Sequence, residues 1–397
     1  MNICLVNNLF PPVNTGSSHY TRDLAVALKN QGHKVIVITN ETSDHSGIEF
    51  YQDTIKVYRL KIKKLPKLSI WMNFPDFNFS LTPSNARAFR NILLNEKIDI
   101  IHQCNNIFDL VFFSARYSKK LNIPLFCSLT TPIQHTSGFY NAIIATFDKT
   151  ILKWFFASKV YKYIALDTTV SEYISERYNI KDRKCIIPFS IPDDSFTRSL
   201  YSIKRDYSHC NFRMVSLGHI SAIKNRKETL YAWKIVVKKY PNAKIRIVGD
   251  LFSDEIKDLI KDLGLEKNIE LTGRIPHKDI VNHLKDVDFG CMFMSEALPY
   301  YKGIGTANLE LMAAGLPVLV DADNMAFGND FPLLNNKHLI TIESRSPEYL
   351  ASIFISLFED SEKRKMLGIN GREFVNKIIT WDKISDIMIE KYKESIN

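Results

Sequence analysis

KGIGTANLELMAAGLPVLV, residues 302–320, reads as a glycine-marked loop, a helix and a buried strand in succession. Gly303 and Gly305 open it, Thr306 stands at the N-cap position, and apolar residues recur at helical spacing as far as Gly315. Pro317 stops the helix, and VLV continues as a strand buried on both faces. A helix start exposes free N–H groups and the positive end of the helix dipole, which suits a diphosphate at Gly305, Thr306 and Ala307. Glu310 follows about one turn later, where its carboxylate can accept from two neighbouring ribose hydroxyls. On these residues alone, an ordinary strand–helix turn with a surface glutamate stays open beside the nucleotide reading.

The alternation extends outward in both directions. FRMVSLG, AKIRIVGD, IELTG and DFGCMFM precede this stretch as strands, with helix-like segments between them. Further back, NICLVNN, a helix through Ser18 to Asn30 ended by Gly32, and KVIVITN form a strand–helix–strand unit. IDIIHQC (98–104), PLFCSL (124–129) and KCIIPF (184–189) continue as strands, with helices expected near 84–96, 107–121 and 138–160. Trp154, Phe155 and Phe156 in the last of these read as core at helical spacing.

Two such series in 397 residues predict an α/β fold of two doubly wound, Rossmann-like domains, with the ligand at the carboxyl ends of the strands in the cleft between them. The expected boundaries are 1–192 for the first domain and 211–379 for the second. Residues 193–210, polar and Pro- and Asp-marked without sustained period, read as a linker. The amphipathic segment 380–397 is expected to return to the first domain.

VSLGHISAIKNRKETL, residues 215–230, is the other chemically marked stretch. Gly218 ends a strand, and His219, Lys224, Arg226 and Lys227 crowd the loop and helix start that follow. Cations there oppose the helix dipole, whereas a bound phosphate would reverse the balance. A solvated basic turn is the competing reading.

The net charge of +9 is uneven: 24 Lys and Arg face 16 Asp and Glu in residues 1–200, against 28 and 27 in the rest. Six of those cations (Lys56, Arg59, Lys61, Lys63, Lys64, Lys67) lie in KVYRLKIKKLPKLSIW, residues 56–71. That segment is a candidate contact with an anionic inner-membrane surface, or a strand followed by a solvated basic loop. No nucleic-acid-binding module accompanies the charge, so no nucleic-acid partner is expected.

Cys4, Cys104, Cys127, Cys185, Cys210 and Cys291 show no paired or metal-like spacing, and no two histidines stand three or four positions apart. MNICLVNNLFPP reads as a strand and not as a secretory leader. No run approaches the ~18 apolar residues of a membrane span. A cytoplasmic protein, at most peripheral on the membrane, is expected. The triplet Asp321-Ala322-Asp323 reads as a strand-end loop and not as a metal site.

These elements, from PPVNTGSSHYTRDLAVALKNQGHKVIVIT through IRIVGD and ELTGRI to LELMAAGLPVLV and the terminal WDKI, resemble glycosyltransferase family 4. These are the retaining GT-B enzymes, also called group 1. The resemblance implies that Lys224 neutralises the donor diphosphate, while His219 stands where the family has arginine, with Arg226 as a compensating cation. Glu310 matches the ribose-binding member of the family's glutamate pair, and Lys302 replaces the sugar-reading member. Gly16, after Thr15, is what remains of the first-domain glycine pair. The Gly273-Arg274-Ile275 turn matches the loop that reads the base, and Gly218 the end of the first strand of the nucleotide domain. Thr130 stands where a histidine often follows the strand matching PLFCSL, and His135 is the nearby candidate. Glu296 is a substitute carboxylate for the sugar.

The resemblance implies a retaining, metal-independent hexosyltransferase with a UDP- or GDP-linked sugar as donor substrate and no cofactor. The acceptor would be a glycan or lipid-linked, in bacterial surface polysaccharide synthesis. Two rivals share the fold: a sugar-nucleotide 2-epimerase, and a nucleotide-sugar-binding relative without turnover.

Overall fold

The structure, a computed structural model, describes residues 1–65, 78–221, 224, 226–251 and 254–396. They form two compact units, Met1–Phe189 with Trp381–Asn397, and Ser190–Thr380.

In the first unit, β1 (Asn2–Val6), β2 (Lys34–Asn40), β3 (Gly47–Tyr51) and β4 (Ile55–Leu60) are followed by a short pair, β5 (Lys63–Lys64) and β6 (Asn78–Phe79). Then come β7 (Ile100–Cys104), β8 (Leu125–Leu129), β9 (Lys162–Ala165) and β10 (Lys184–Ile186). The main sheet has the order β10-β9-β8-β7-β1-β2-β4-β3. Its pairings are parallel except at the edge, where β3 runs antiparallel to β4. β7 and β8 are buried at every position, as strands with helices on both faces must be. The β3–β4 hairpin turns on Gln52 and Asp53, at φ of 48° and 56°, without the glycine that usually marks a tight hairpin.

From β1 the chain passes to β2 on one side and later to β7 on the other, which opens a crevice at their carboxyl ends. The buried side chains Asn7, Asn8, Asn105 and Asn106 line that end of the sheet. Asn8 donates to Asp109 at 2.7 Å, and Asp109 also accepts from the Ser80 backbone and hydroxyl at 2.6 and 2.7 Å. The helix Gly16–Asn30 starts beside them, its Thr15 cap accepting from Ser18 N at 3.3 Å.

The helix Trp381–Lys393 belongs to this unit through Ile384, Met388, Ile389 and Tyr392, all buried. Tyr392 packs edge-on against Phe126 at 4.9 Å and hydrogen-bonds His102 Nδ1. His102 Nε2 meets Ser128 Oγ at 2.7 Å, as does the Tyr20 hydroxyl.

The second unit holds β11 (Arg213–Leu217), β12 (Lys244–Val248), β13 (Ile269–Leu271), β14 (Phe289–Cys291), β15 (Val318–Val320) and β16 (Ile340–Thr341). They form one parallel sheet in the order β13-β12-β11-β14-β15-β16. Trp233, Phe289, Phe354 and Phe358, each almost wholly buried, pack together in its core.

Two expectations change here. Residues 193–210, read as a linker, carry the helix Ser195–Tyr201, whose cap Asp194 accepts from Thr197 N at 2.9 Å. Beyond it Arg205 donates to the carbonyls of Leu284, Val287 and Ala314, and Tyr207 to that of Gly315 at 2.8 Å. The Asp and Ser residues that looked like loop punctuation are a helix start. In the segment 138–160 only Phe156 of the aromatic trio is core: Trp154 is 72% and Phe155 54% exposed.

Candidate functional site

In the second unit the strand order reverses between β11 and β14, so the loops that follow these two strands diverge and leave a crevice at their carboxyl ends. The loop after β11 is held from below. Gly249, at φ +143°, follows β12 so closely under it that a Cβ would stand 2.7 Å from the Gly218 carbonyl carbon. Only glycine fits both that backbone angle and that gap.

Arg226, 1% exposed, donates to the carbonyls of Lys224 at 2.8 Å, Gly218 at 3.2 Å and Leu217 at 3.3 Å. It is therefore a brace inside the turn and not the ligand-facing cation the sequence suggested. A wholly buried guanidinium with nearby carbonyls is spent on shaping the backbone.

Lys224 is half-buried, with Nζ 3.6 Å from where a Cβ on Gly218 would lie. Among the described residues nothing accepts from its ammonium; residues 222, 223 and 225 lie outside them. Burial lowers its pKa from the ordinary lysine value, the Arg226 charge adds to this, and the Glu310 carboxylate opposes it. His219 Nδ1 accepts from Asp250 N at 2.8 Å, which leaves the ring N–H on Nε2. One donor on a half-exposed ring replaces the fork that an arginine would supply.

The loop after β14 leads into the helix Thr306–Ala313. Gly305 is its N-cap and Thr306 its first residue, with no side chain capping the start; the expected Thr306 cap is thus displaced by one position. Gly303 N bonds the Asp321 carbonyl at 2.8 Å, fixing the approach. Gly290 in β14 lets the helix close on the sheet, since Leu311 Cδ1 lies 2.5 Å from where its Cβ would be. The far end is closed by Arg205 and Arg372, both on the Ala314 carbonyl at 2.7 and 2.8 Å. Cations at a C-terminus complement the dipole whose positive end points into the crevice.

Glu310, 8% exposed, accepts from His277 Nε2 at 3.0 Å. The His277 ring lies against Phe196 with centroids 3.9 Å apart. The structure thus joins Glu310 to a histidine that the sequence left unassigned, just past Arg274, which is exposed, and Ile275, which is half-buried.

Lys302 bonds Asp323 at 3.1 Å, and the Asp323 carboxylate raises its pKa. Asp321, the other acid of the triplet, bonds Arg345 Nε at 2.7 Å. Arg345 is the residue that sequence reading missed. Its side chain, 6% exposed, has Glu296 at 3.4 Å and Glu228 at 3.9 Å, donates to the Met294 carbonyl, and stacks under Tyr301. Nothing periodic around IESRSPEY marks it. Glu296 therefore faces a cation of its own unit. Arg345→Ala leaves three acids around an empty place and is expected to cost about 3 kcal/mol in urea denaturation. Arg345→Lys should recover only part, since an ammonium cannot reach both Asp321 and Met294.

The remaining candidates lie in the first unit. Gly16 is the first residue of its helix, with open space where a Cβ would lie. His135, 8% exposed, accepts from Ser137 N at 2.8 Å through Nδ1 and packs edge-on against Tyr140. Residues 66–71 of the basic segment, Lys67 included, lie outside the described residues. Of the rest, Arg59 is buried, paired with Glu49 and bonded to the Asn40 carbonyl, and Lys56 bonds Glu96 at 2.8 Å. Lys61, Lys63 and Lys64 stay exposed, so the segment is only in part a basic surface.

All six cysteines are free thiols. Among the described residues no group of three His, Cys, Asp or Glu side chains is placed to hold a metal ion, and no helix is long and apolar enough to cross a membrane.

Two parallel α/β units of this topology, with a nucleotide-type crevice at the switch point of the second, define the class of GT-B glycosyltransferases. Residues 14–194 match the family model for Glycosyltransferase Family 4, and residues 209–374 that for Glycosyl transferases group 1. The chain belongs to this family and is a glycosyltransferase. It is 26% identical over 351 residues to alpha-monoglucosyldiacylglycerol synthase of Streptococcus pneumoniae, covering 85% of this chain and 73% of that one. Sucrose-phosphate synthase from Thermosynechococcus elongatus superposes with a TM-score of 0.71 at 18% identity, over 99% of this chain and 98% of that one. Anabaena HepE in complex with UDP and glucose gives 0.66 at 16% identity, over 99% of each.

Proposed function

We propose that this glycosyltransferase moves a hexose, with retention, from a UDP- or GDP-linked donor to a glycan or lipid-linked acceptor in bacterial surface polysaccharide synthesis. One observation carries the donor half: Lys224, in the loop after β11, and Glu310, in the helix that follows β14, stand on the two sides of the switch point beside an uncapped helix start. Lys224 and the N–H groups of Thr306 and Ala307 hold the diphosphate, with His219 as a further donor. Glu310 exchanges its His277 bond for the ribose hydroxyls. Arg274 and Ile275 border the base, and Gly16 and His135 belong to the first unit's part of the reaction.

The transfer needs no cofactor and no metal in this reading. The pairing of Asp321 with Arg345 and of Asp323 with Lys302 supports a structural role for that triplet. A lipid-linked acceptor is supported by the pneumococcal relative, named for a glucosylated diacylglycerol. Such an acceptor would be met at the cytoplasmic face of the membrane.

Titration calorimetry with UDP and GDP tests the donor site. Glu310→Ala is expected to weaken the preferred nucleotide by about tenfold or more, as loss of charge-assisted hydrogen bonds does. The 2′-deoxynucleotide should lose little further affinity in that variant. Equal affinity of wild type and variant would remove Glu310 from the site.

A further inference from the structure

The helix Gly138–Phe147, GFYNAIIATF, is strongly apolar and yet contains no buried residue. It continues through a π turn, Asp148–Leu152, into Lys153–Phe155. Along it Phe139 (70%), Ile143 (45%), Phe147 (43%), Ile151 (41%), Trp154 (72%) and Phe155 (54%) are exposed. Steps of four drift by about 40° around a 3.6-residue helix. The π turn winds more slowly and brings Ile151 and Phe155 back into line with Phe147.

The other side of the segment is firmly held. Asp148, Leu152 and Phe156 are buried, and the Asp148 carboxylate accepts from the Tyr173 and Tyr178 hydroxyls. The apolar stripe is therefore presented by a fixed support. The hydroxyls beside it are satisfied within the helix: Thr146, Thr150 and Ser158 donate to the carbonyls of Ala142, Thr146 and Trp154, at 2.9, 2.6 and 2.6 Å. Hydroxyls bonded to their own helix carbonyls need no water. Asp148 is the only acid between residues 131 and 166, whereas Lys149, Lys153 and Lys159 are exposed. An exposed apolar stripe with cations and no exposed acid along its own segment fits an anionic lipid surface better than water or a second protein.

We propose that this stripe docks the first unit on a bilayer of anionic phospholipid. Trp154, Phe155 and Phe139 enter the headgroup–acyl boundary, where aromatic rings are favoured, and the lysine stems reach back to lipid phosphates. The docking stands on the surface alone and holds whether or not the donor reading above survives.

Sedimentation of the full chain with phosphatidylglycerol vesicles, and with phosphatidylcholine vesicles as contrast, tests it. Binding is expected to the anionic vesicles and to fall with added salt. Phe139→Ser with Trp154→Ser should lower partitioning by about tenfold or more, and Lys149→Gln with Lys153→Gln by roughly tenfold. All four positions are exposed, so melting temperature and UDP or GDP affinity should be unchanged, which separates this outcome from failure of the donor site. Unchanged partitioning of both double variants overturns the proposal. So does a wild-type dimer that the serine variant turns into a monomer without any vesicle binding, since a second copy would then cover the stripe.

Discussion

Lys224→Ala is expected to lower kcat/KM for sugar transfer by about 10²–10³-fold, the loss that follows removal of one preorganised group facing a developing anion. In the proposed reaction the leaving nucleoside diphosphate would gain charge as the glycosidic bond breaks. A cation stabilises that charge most where water is excluded and where its place is set beforehand. Lys224 meets both conditions: it is half-buried, and Arg226 grips its carbonyl while Gly249 presses the adjoining strand end into place. The effect should fall mainly on kcat, because the charge would grow in the transition state while the helix start, in the proposed site, would still hold the ground-state diphosphate.

The pH profile carries a second signature. Burial and Arg226 lower the Lys224 pKa, so the active ammonium is lost on the alkaline side at a lower pH than for an ordinary lysine. Lys224→Arg should remove that alkaline limb, because a guanidinium stays charged. Initial rates against donor concentration, from pH 6 to 10, check both. A Lys224→Ala enzyme within threefold of wild type would exclude the residue from the chemistry.

The second large effect concerns stability. His102 is wholly buried, and burial holds its pKa down at about 3 against 6.5 for a free histidine. The unfolded chain binds a proton at this position below pH 6.5 and the folded chain does not. Stability from His102 is therefore fully present above pH 6.5 and is lost as pH falls through the window down to about 3. Between pH 6.5 and 4.5 the loss is about 2–3 kcal/mol at 1.36 kcal/mol per pH unit.

His338, lowered to about 4, acts in the same direction in the other unit, so the comparison must be with a variant. His102→Gln should be less stable at neutral pH, because Ser128 and Tyr392 lose a well-placed partner, but should have a flatter acid limb. Urea denaturation at pH 7.5 and 4.5 measures this. A gap between wild type and variant that does not narrow at pH 4.5 would overturn the assignment.

His102 also illustrates what a sequence can and cannot tell. It lies in IDIIHQC, a segment legible as a strand. Its partner Tyr392 lies 290 positions away, and no local pattern predicts which side chain of a terminal helix will meet which strand. Arg226 and Lys224 give the same lesson at the site. Both are cations in one loop, and only the direction of each side chain separates the brace from the group facing the crevice. Lys302, which stands in place of the family's sugar-reading glutamate, lies against Asp323, and Arg345 gathers acids from segments far apart in the chain.

By itself, then, the stretch 302–320 with its neighbours determined the alternation of parallel strands and helices and the glycine-marked start of the Thr306–Ala313 helix, and it offered Lys224 and Glu310 as the candidates on which the nucleotide reading rests. Those features are local: strands buried on two faces must be continuous apolar runs, and helix ends need particular residues. Tertiary structure alone decided the partners of Lys302, Arg345 and Glu310, the inward turn of Arg226, and the exposure of Trp154. Each depends on which surfaces the folded sheets bring together, and burial at a point in space has no period along the chain.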